Sequence, residues 1–376
     1  MKKICYVVTV PVTIKAFFVP QLQYLAEHDF EVHVICSEDD ELQEILGENI
    51  KYIPLNMPRG ISVEGTIRSI KELVRIFKRE KYDLVQYSTP NAALYASIAA
   101  RIVRCRVRNY HLMGFRYLGA KGSGANVLKI LEKITCFNST SIECVSKSNF
   151  DLGIREKIFT SDKATVVWNG STGGVDLKRF DYSKRELWRA ELREKYGYQA
   201  TDFIYGFIGR ITKDKGIDEL LEAFFKVNNG SKLFLIGNIE DEEKLNKELW
   251  DRAKANSDVL IHEAVSDIEK YYAMIDVLVF PSYREGFGNA VIEAGVVGTP
   301  AIITKIPGPI DTVKEDVTAL TVPVKDVEAL SFAMDKMKKC DTQKMGKQAV
   351  KFVTENFDSH ILNQKIEERK RQLLKI

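Results

Sequence analysis

Two glutamates stand eight positions apart in a glycine-rich stretch of the chain. The segment PSYREGFGNAVIEAG places Glu285 in the turn after an apolar run and Glu293 one turn into the helical pattern that follows. Gly286 and Gly288 allow backbone to approach a ligand where side chains would obstruct it. Acids so placed suit the paired hydroxyls of a sugar or ribose. Taken singly, Glu285 is better explained as a solvated turn acid and Glu293 as an acid near a helix N-terminus stabilised by the helix dipole.

A second candidate site lies upstream, in the segment FIGRITKDKGIDELLEAF. An apolar strand ends at Gly209 and Arg210, and a short polar loop then leads through Lys215 into a helix. In open α/β sheets, ligands bind beyond the carboxyl ends of the strands. A helix N-terminus beside two cations at that edge is suited to a diphosphate. Alone, the same residues are equally explained as a surface loop with two solvated cations.

The elements that must position these residues are short apolar strands alternating with amphipathic helices. Near-continuous apolar runs such as KKICYVVTV, FEVHVICS, YDLVQYS, DFIYGFIG, SKLFLIG and IDVLVFP are typical of parallel strands covered on both faces. The alternation predicts an α/β fold of the doubly wound kind, and 376 residues suit two domains. The Gly-rich stretch NGSTGGVDLKRFD predicts the boundary. We expect an N-terminal domain over 1–170, a C-terminal domain over 171–355, and a tail helix over 356–376 that packs back on the first domain.

The composition narrows the function classes. Hydrophobic residues make up 45% of the chain and charged residues 28%, which is typical of a folded globular protein. Six cysteines without a C-x-x-C pair predict free thiols in a reducing compartment. No H-E-x-x-H or D-x-D motif is present, so no metal is expected. Pro11 and Lys15 interrupt the apolar N-terminus, which is therefore interpreted as a first strand of a cytoplasmic protein rather than a signal peptide.

Several motifs together resemble one family. FIGRITKDKGIDELLEAF and PSYREGFGNAVIEAGVVGTPAI look like the retaining family 4 glycosyltransferases, whose paired glutamates, separated by seven residues, match Glu285 and Glu293. NGSTGGVDLKRF and ALTVPVKDVEAL are similar to that family too. Within it, the chain resembles bacterial enzymes of capsule, O-antigen and other lipid-linked glycan synthesis. The resemblance implies a GT-B fold, with two Rossmann-like domains facing a central cleft.

The resemblance also implies an activity and a donor site. A hexosyltransferase of this family moves a sugar from a nucleoside diphosphate, here expected to be a UDP-hexose or UDP-hexosamine, to a lipid-linked (polyprenyl diphosphate) glycan with retention of configuration. Catalytic roles fall on Glu285, Arg210 and Lys215, the two cations replacing a metal at the diphosphate. The resemblance implies no cofactor, because the UDP-sugar is a co-substrate. The implied donor-binding residues are Gly209, Arg210, Lys215, Val265, Glu285, Gly286, Phe287, Gly288, Asn289 and Glu293.

The acceptor side departs from the family pattern. Many relatives have a glycine-rich first loop, whereas this chain has VPVTIKAFF with Thr13 expected at the loop tip. Many also carry a His-Gly pair after a central strand, where NYHLMGFRYLG has Met113 before Gly114 and His111 two residues earlier. Arg116 in that segment is a candidate for a phosphate contact. Thr13, His111, Gly114 and Arg116 are thus the acceptor-side candidates.

Two other functions remain to be weighed. A catalytically silent family member that binds nucleotide-sugar or glycan for a partner enzyme is kept open by Met113 and disfavoured by the complete set of donor residues. A nicotinamide-dependent oxidoreductase on a doubly wound fold predicts G-x-G-x-x-G after the first strand, and VTVPVTIKAF has none.

Positive charge is concentrated in one part of the N-terminal half. Residues 51–133 hold 16 Lys and Arg against 5 Asp and Glu, a local excess of 11, although the whole chain carries only +3. Basic helix faces interleaved with apolar residues can lie on an anionic membrane, although an ordinary solvated helix face explains them too. With a lipid-linked acceptor, we expect peripheral contact with the cytoplasmic face of the inner membrane. No nucleic-acid motif is present, so nucleic acid is not expected as a partner.

Overall fold

The computed structural model describes residues 1–58, 60, 62–120, 122–227 and 230–376. These residues form two compact units: unit 1 is Met1–Gly174 with Ser359–Ile376, and unit 2 is Val175–Asp358. The sequence predicts a domain boundary after residue 170, and the two units divide after residue 174. The predicted tail begins at 356, and the segment that returns to unit 1 begins at 359. Arg59 and Lys121 of the basic stretch lie outside the described residues.

Unit 1 is built on a parallel sheet of seven strands in the order β3-β2-β1-β4-β5-β6-β7. The order reverses between β1 and β4, which is the arrangement of a doubly wound Rossmann-like domain. The strands are β1 (Lys2–Val7), β2 (Phe30–Cys36), β3 (Ile50–Pro54), β4 (Leu84–Tyr87), β5 (Val107–Leu112), β6 (Ser141–Cys144) and β7 (Ala164–Val166).

Helices cover both faces of this sheet. One core lies on the side of α1, α2 and α3, and the other on the side of α4, α5 and α6. The first seven helices are α1 (Pro11–Phe17), α2 (Val19–Glu27), α3 (Leu42–Leu46), α4 (Val63–Glu80), α5 (Pro90–Ile102), α6 (Gly122–Asn138) and α7 (Lys147–Arg155). Helix α4 begins after Ser62, whose hydroxyl caps it by accepting a hydrogen bond from the Gly65 amide.

Unit 2 repeats the plan with six parallel strands in the order β10-β9-β8-β11-β12-β13. The reversal falls between β8 and β11, so the loops that leave these two strands lie side by side. The strands are β8 (Ile204–Ile208), β9 (Lys232–Ile236), β10 (Val259–His262), β11 (Val277–Phe280), β12 (Ala301–Thr304) and β13 (Ala319–Val322). The helices are α8 (Arg185–Lys195), α9 (Ile217–Val227), α10 (Lys247–Ala255), α11 (Ile268–Met274), α12 (Asn289–Val296), α13 (Val327–Lys339) and α14 (Thr342–Phe357).

The last helix, α15 (Ser359–Leu374), belongs to unit 1, where it contacts α2. Its Lys370 is buried, and the ammonium lies 2.7 Å from the carboxylate of Glu143 on β6. Arg369 donates to the Ser141 hydroxyl, and Leu374 joins the core beside α1 and α2. Within the described ranges, no helix is both long and apolar enough to cross a membrane.

Candidate functional site

The central feature of unit 2 is a contact between the two loops that leave β8 and β11. Lys215 lies in a short 3-10 turn after β8, and Glu285 lies in the loop after β11. Because β8 and β11 are neighbouring parallel strands, both loops emerge at the carboxyl edge of the sheet. The Lys215 ammonium lies 2.5 Å from the Glu285 carboxylate, and each side chain is 15% exposed. The fold thus joins the two segments that the sequence singled out separately.

Glycine makes this approach of the two loops possible. Gly216, directly after Lys215, has a φ of +75°, and a Cβ built there would lie 2.3 Å from the Pro281 carbonyl oxygen. The loops are joined further by a hydrogen bond from the Tyr283 amide to the Asp214 carbonyl. Only glycine accommodates both the backbone angle and the contact. The position of Lys215 is therefore set by the residue that follows it.

Arg210 is the more exposed of the two predicted phosphate ligands. It follows Gly209 at the end of β8, and its guanidinium donates to the Glu240 carboxylate over 2.7 Å. The two side chains are 54% and 47% exposed, and an exposed ion pair of this kind contributes at most about 1 kcal/mol. An incoming anion can therefore take the guanidinium from Glu240 at little cost.

The Gly286-Phe287-Gly288 run presents backbone rather than side chains. Gly308 packs so closely that a Cβ on it would lie 2.9 Å from the Gly286 carbonyl. Phe287 is 5% exposed, and its ring packs edge-on against Phe357, which anchors the run from behind. Gly288 has a φ of +114° and is the N-cap of α12, which begins at Asn289. Because glycine has no side chain, the N-cap makes no side-chain hydrogen bond to the first amides of the helix.

Glu293 is the fifth residue of α12, as the sequence predicts, and is half-buried. Its carboxylate accepts a hydrogen bond from the Tyr272 hydroxyl at 2.9 Å. Burial raises the pKa of Glu293, although this hydrogen bond and the nearby positive charge of Arg179 partly offset the effect. Arg179 is itself held by Glu269, 2.9 Å away, and by the carbonyl of Ser266. Glu293 is thus a preorganised hydrogen-bond acceptor.

Tyr272 and Arg179 are site residues that the sequence did not single out. Arg179 lies in NGSTGGVDLKRF, which matched the family motif without a role for that residue. Tyr272 lies on α11. Its hydrogen bond to Glu293 could not be predicted from a local sequence pattern, because the two residues are 21 positions apart. Val265, the predicted contact to a base, lies half-buried in the loop between β10 and α11, next to Ser266.

Ser282 is a further residue at the same edge. It lies two residues after the end of β11, is fully buried, and its hydroxyl has no hydrogen-bond partner among the described residues. In the same described part of the chain, no group of three or more His, Cys, Asp or Glu side chains is arranged to hold a metal ion.

Among the acceptor-side candidates, the expected position of Thr13 is wrong. Thr13 is not at a loop tip, since the first loop closes at Val10 and Thr13 is buried in α1. The helix begins at Pro11, whose fixed φ favours the first helical position.

The other acceptor-side candidates lie near the end of β5 or in the loop after it. His111 is buried at the strand end, where its Nε2 lies 3.1 Å from the Thr172 hydroxyl and its Nδ1 lacks a partner among the described residues. Burial lowers the pKa of His111 to about 4, so the imidazole is neutral near pH 7. Gly114 has a φ of +106°. Arg116 is exposed and donates to the Asn91 amide oxygen at 3.3 Å.

Two models of known protein families match the chain, one in each unit. The model described as "Glycosyl transferases group 1" matches residues 189–352, and the model described as "Glycosyl transferase 4-like" matches residues 3–146. The first match spans the Lys215 and Glu285 loops and α12. The second spans β1 to β6 of unit 1, with the acceptor-side candidates.

Individual relatives agree with this assignment. "Capsular polysaccharide biosynthesis glycosyltransferase CapM" of Staphylococcus aureus is 33% identical over all of this chain and 98% of its own length. The "UDP-Gal:alpha-D-GlcNAc-diphosphoundecaprenol alpha-1,3-galactosyltransferase" of Escherichia coli is 26% identical over 84% of this chain and 81% of its own. The structure of Anabaena HepE in complex with UDP, 18% identical, superposes with a TM-score of 0.80 over 99% of this chain and all of that one, which shows a common fold. The chain is a member of the group 1 glycosyltransferases, with the GT-B fold of two Rossmann-like domains.

Proposed function

We propose that this glycosyltransferase moves a sugar from a UDP-sugar to a polyprenyl diphosphate-linked glycan during synthesis of a bacterial surface polysaccharide. The observation that carries the proposal is the Lys215–Glu285 contact at the carboxyl edge of the unit 2 sheet, with Glu293 on the adjoining helix α12. A cation for phosphate and two acids for hydroxyls thereby lie on neighbouring elements. That set of groups corresponds to the three parts of a nucleotide-sugar: diphosphate, ribose and transferred sugar.

The diphosphate is assigned to Lys215 and Arg210. As the bond to the sugar breaks, negative charge develops on the leaving nucleoside diphosphate, and cations already in place stabilise it. Lys215 is held in position by Glu285, while Arg210 is released from the exposed pair with Glu240. We therefore assign the reaction no metal.

The hydroxyls are assigned to the two glutamates. Glu293 accepts from the ribose, and its hydrogen bond from Tyr272 fixes the orientation of its carboxylate. Glu285 contacts the transferred sugar, while the Gly286 and Gly288 backbone lets the ligand approach α12. Retention by double displacement needs a free nucleophile on the far face of the sugar. Since Glu285 is engaged by Lys215, the proposed route is a same-face reaction assisted by the leaving phosphate.

Relatives support the choice of donor and acceptor. The name of the Escherichia coli relative specifies UDP-galactose and a diphosphoundecaprenol-linked sugar, and that of the Staphylococcus aureus relative specifies capsular polysaccharide. An acceptor of that kind is embedded in a membrane, so we place the enzyme peripherally at the cytoplasmic face of the inner membrane. The excess of 11 positive charges in residues 51–133 supports that placement.

A second candidate function is a catalytically silent partner of another glycosyltransferase. The observation that favours it is in unit 1, where Met113 replaces the histidine of the family pattern and His111 is buried against Thr172. Such a protein would bind nucleotide-sugar without turning it over. The two functions share the donor site and differ only in transfer.

Nucleotide binding tests the donor assignment. Calorimetric titration with UDP, GDP, ADP and NAD, each with a chelator present, is expected to show tightest binding of UDP and no effect of the chelator. Thermal melting offers a second readout, because a ligand at a hundred times its dissociation constant stabilises by about 2.7 kcal/mol. Binding of NAD alone, or loss of UDP binding with the chelator, would contradict the assignment.

A matched pair of variants locates the site. Lys215→Ala should weaken UDP binding by about 10- to 100-fold, because a hydrogen bond to a charged group is lost. Lys213→Ala, two residues earlier on the same turn, removes an exposed lysine that pairs with Asp218 and should leave affinity unchanged. Equal affinity of both variants for UDP would remove Lys215 from the phosphate site.

A further inference from the structure

Unit 1 contains an apolar pocket to which no role has been assigned, although the acceptor-side candidate Arg116 is among its lining residues. It lies between α4, α5 and α6 and has a volume of about 210 Å³. Pro90 and Asn91, which follow β4, and Arg116, which follows β5, line it together with residues of the three helices. The pocket therefore opens at the carboxyl edge of the sheet, where open α/β folds bind their ligands.

The walls of the pocket are largely hydrocarbon. Leu94, Leu128 and Leu131 supply them, while Val63 and Ile67, 74% and 50% exposed, stand at the rim. Exposed aliphatic side chains around an apolar cavity are unusual on a soluble surface and mark a binding site. The volume is below that of a pocket for a whole drug-sized ligand, so the pocket admits one segment of a longer molecule.

Two ionisable residues line the pocket at different depths, one exposed and one buried. Arg116 is exposed and lines the mouth, where its guanidinium also donates to Asn91. Glu132 is 6% exposed and lines the floor, and one of its carboxylate oxygens has no partner among the described residues. Burial raises the pKa of Glu132 to about 7, although its hydrogen bond with Tyr110 lowers it. A carboxyl that takes up a proton on desolvation is compatible with hydrocarbon beside it.

The surface beside the pocket continues the same chemistry. On α6, Val127, Ile130, Ile134 and Phe137 follow helical spacing and are 44%, 58%, 38% and 68% exposed. The Arg101 guanidinium lies 4.6 Å from the centre of the Phe137 ring. Apolar side chains interleaved with cations are suited to a lipid with an anionic headgroup. A protein partner of ordinary composition would not need the excess of 11 positive charges in residues 51–133.

We propose that this pocket holds the part of the acceptor's polyprenyl chain next to the diphosphate, and that Arg116 contacts that diphosphate. The inference rests on the proposed function for its acceptor class and adds where and how the lipid is recognised. Hydrocarbon enters between Leu94 and Leu131, and the rest of the chain continues past Val63 and Ile67 towards the membrane. The sugar to be extended then lies outside the pocket mouth, at the carboxyl edge of the sheet.

Farnesyl diphosphate is a suitable probe, because it carries a short isoprenoid chain and the same diphosphate and does not require transfer. Calorimetric titration of the full-length protein compares it with inorganic diphosphate. We expect farnesyl diphosphate to bind at least about tenfold more tightly, since its chain is buried in the pocket. Equal affinity for the two probes would overturn the proposal.

Two variants with matched controls test the pocket itself. Thr66→Phe adds a ring at a half-buried lining position and should abolish the preference for farnesyl diphosphate, while Ser123→Phe adds the same ring on exposed α6 and should keep it. Arg116→Gln should weaken both diphosphates at least about fivefold, unlike Arg106→Gln at the other edge of the sheet. Unchanged affinities in Thr66→Phe and Arg116→Gln would refute the assignment.

UDP binding separates this inference from the proposed function. Thr66→Phe should bind UDP like the unsubstituted protein, because the donor residues lie in unit 2. If the protein prefers farnesyl diphosphate but never transfers a sugar, the pocket assignment holds and the enzymatic proposal fails. If transfer to a lipid-linked acceptor proceeds equally well in Thr66→Phe, the enzymatic proposal holds and the pocket assignment fails.

Discussion

The buried Lys370–Glu143 ion pair makes the tail helix a structural part of unit 1, and its removal has a calculable effect. The Lys370 and Glu143 side chains are 1% and 4% exposed, and the charged groups are 2.7 Å apart. Burial raises the pKa of Glu143, but the charge and hydrogen bond of Lys370, together with smaller effects of His111 and Asn109, hold the pKa below its usual value. Lys370→Met keeps an apolar stem of similar length and leaves the buried Glu143 with only the Arg369 guanidinium, 3.6 Å away and 26% exposed, as a cation.

Breaking a buried pair from one side costs about 3–5 kcal/mol. Each 1.4 kcal/mol is about a factor of ten in an equilibrium constant, so unit 1 should open about two to four orders of magnitude more often. Lys365→Met is the matched control on the same helix. Its pair with Glu368 is 43% and 58% exposed and contributes at most about 1 kcal/mol.

Hydrogen exchange followed by mass spectrometry distinguishes the two units. In Lys370→Met, peptides from β6 and α2 should exchange faster, while peptides from β8 in unit 2 should be unchanged. The difference should shrink as pH falls. Glu143 of the variant, which has lost the hydrogen bond from Lys370, takes up a proton, and the native pair loses its stabilising effect below the folded-state pKa of Glu143. Exchange in Lys370→Met no faster than in Lys365→Met would refute the reasoning.

The loops after β8 and β11 and helix α12 of unit 2 give three further expectations. Glu285→Gln should lower kcat about 100-fold or more and change the UDP dissociation constant less than about threefold, so steady-state kinetics with calorimetry that found equal losses would count against a role in transfer. Because the pKa of Glu293 is raised, its protonation should weaken UDP binding at a higher pH than protonation of an ordinary glutamate would. Tyr272→Phe removes a hydrogen bond that lowers this pKa, so the loss of UDP affinity should move to still higher pH. Identical calorimetric pH profiles of the variant and the unsubstituted protein would contradict this. Gly216→Ala places a Cβ 2.3 Å from the Pro281 carbonyl oxygen and should lower the free energy of unfolding of unit 2, measured in urea, more than Gly197→Ala does. Gly197 has a φ of +73° and open space around its Cβ, so Gly197→Ala should lower that free energy by about 1 kcal/mol. Equal losses in the two variants would mean that the loop contact is unimportant.

The repeating pattern of the sequence was sufficient to predict the doubly wound fold. Buried parallel strands appear as apolar runs, and glycines at Gly216 and Gly288 mark turns that other residues resist. Glu293 could be placed on its helix for the same reason, since helix starts have local signals. Thr13 lies in α1 and not at a loop tip, because Pro11 starts the helix directly after the first strand, where many relatives have a glycine-rich loop.

Contacts between distant residues could not be predicted from the sequence. The Tyr272–Glu293 hydrogen bond depends on how α11 packs near α12, and the Lys370–Glu143 pair joins residues 227 positions apart. The apolar pocket depends on three helices that no local pattern brings together. Side chains such as Lys370 and Glu132 look like solvated charges in the sequence, and only the packing shows that they are buried.

The most direct test of the central claim is a transfer reaction read by mass spectrometry. The protein is incubated with UDP-hexoses and UDP-hexosamines and with polyprenyl diphosphate-linked mono- and disaccharides, with a chelator present, beside the Glu285→Gln variant. We predict that the lipid-linked acceptor gains the mass of one sugar residue with the unsubstituted protein and does so at least about 100-fold more slowly with Glu285→Gln. UDP binding without any gain in acceptor mass across the panel would contradict the account and favour a silent nucleotide-sugar-binding partner.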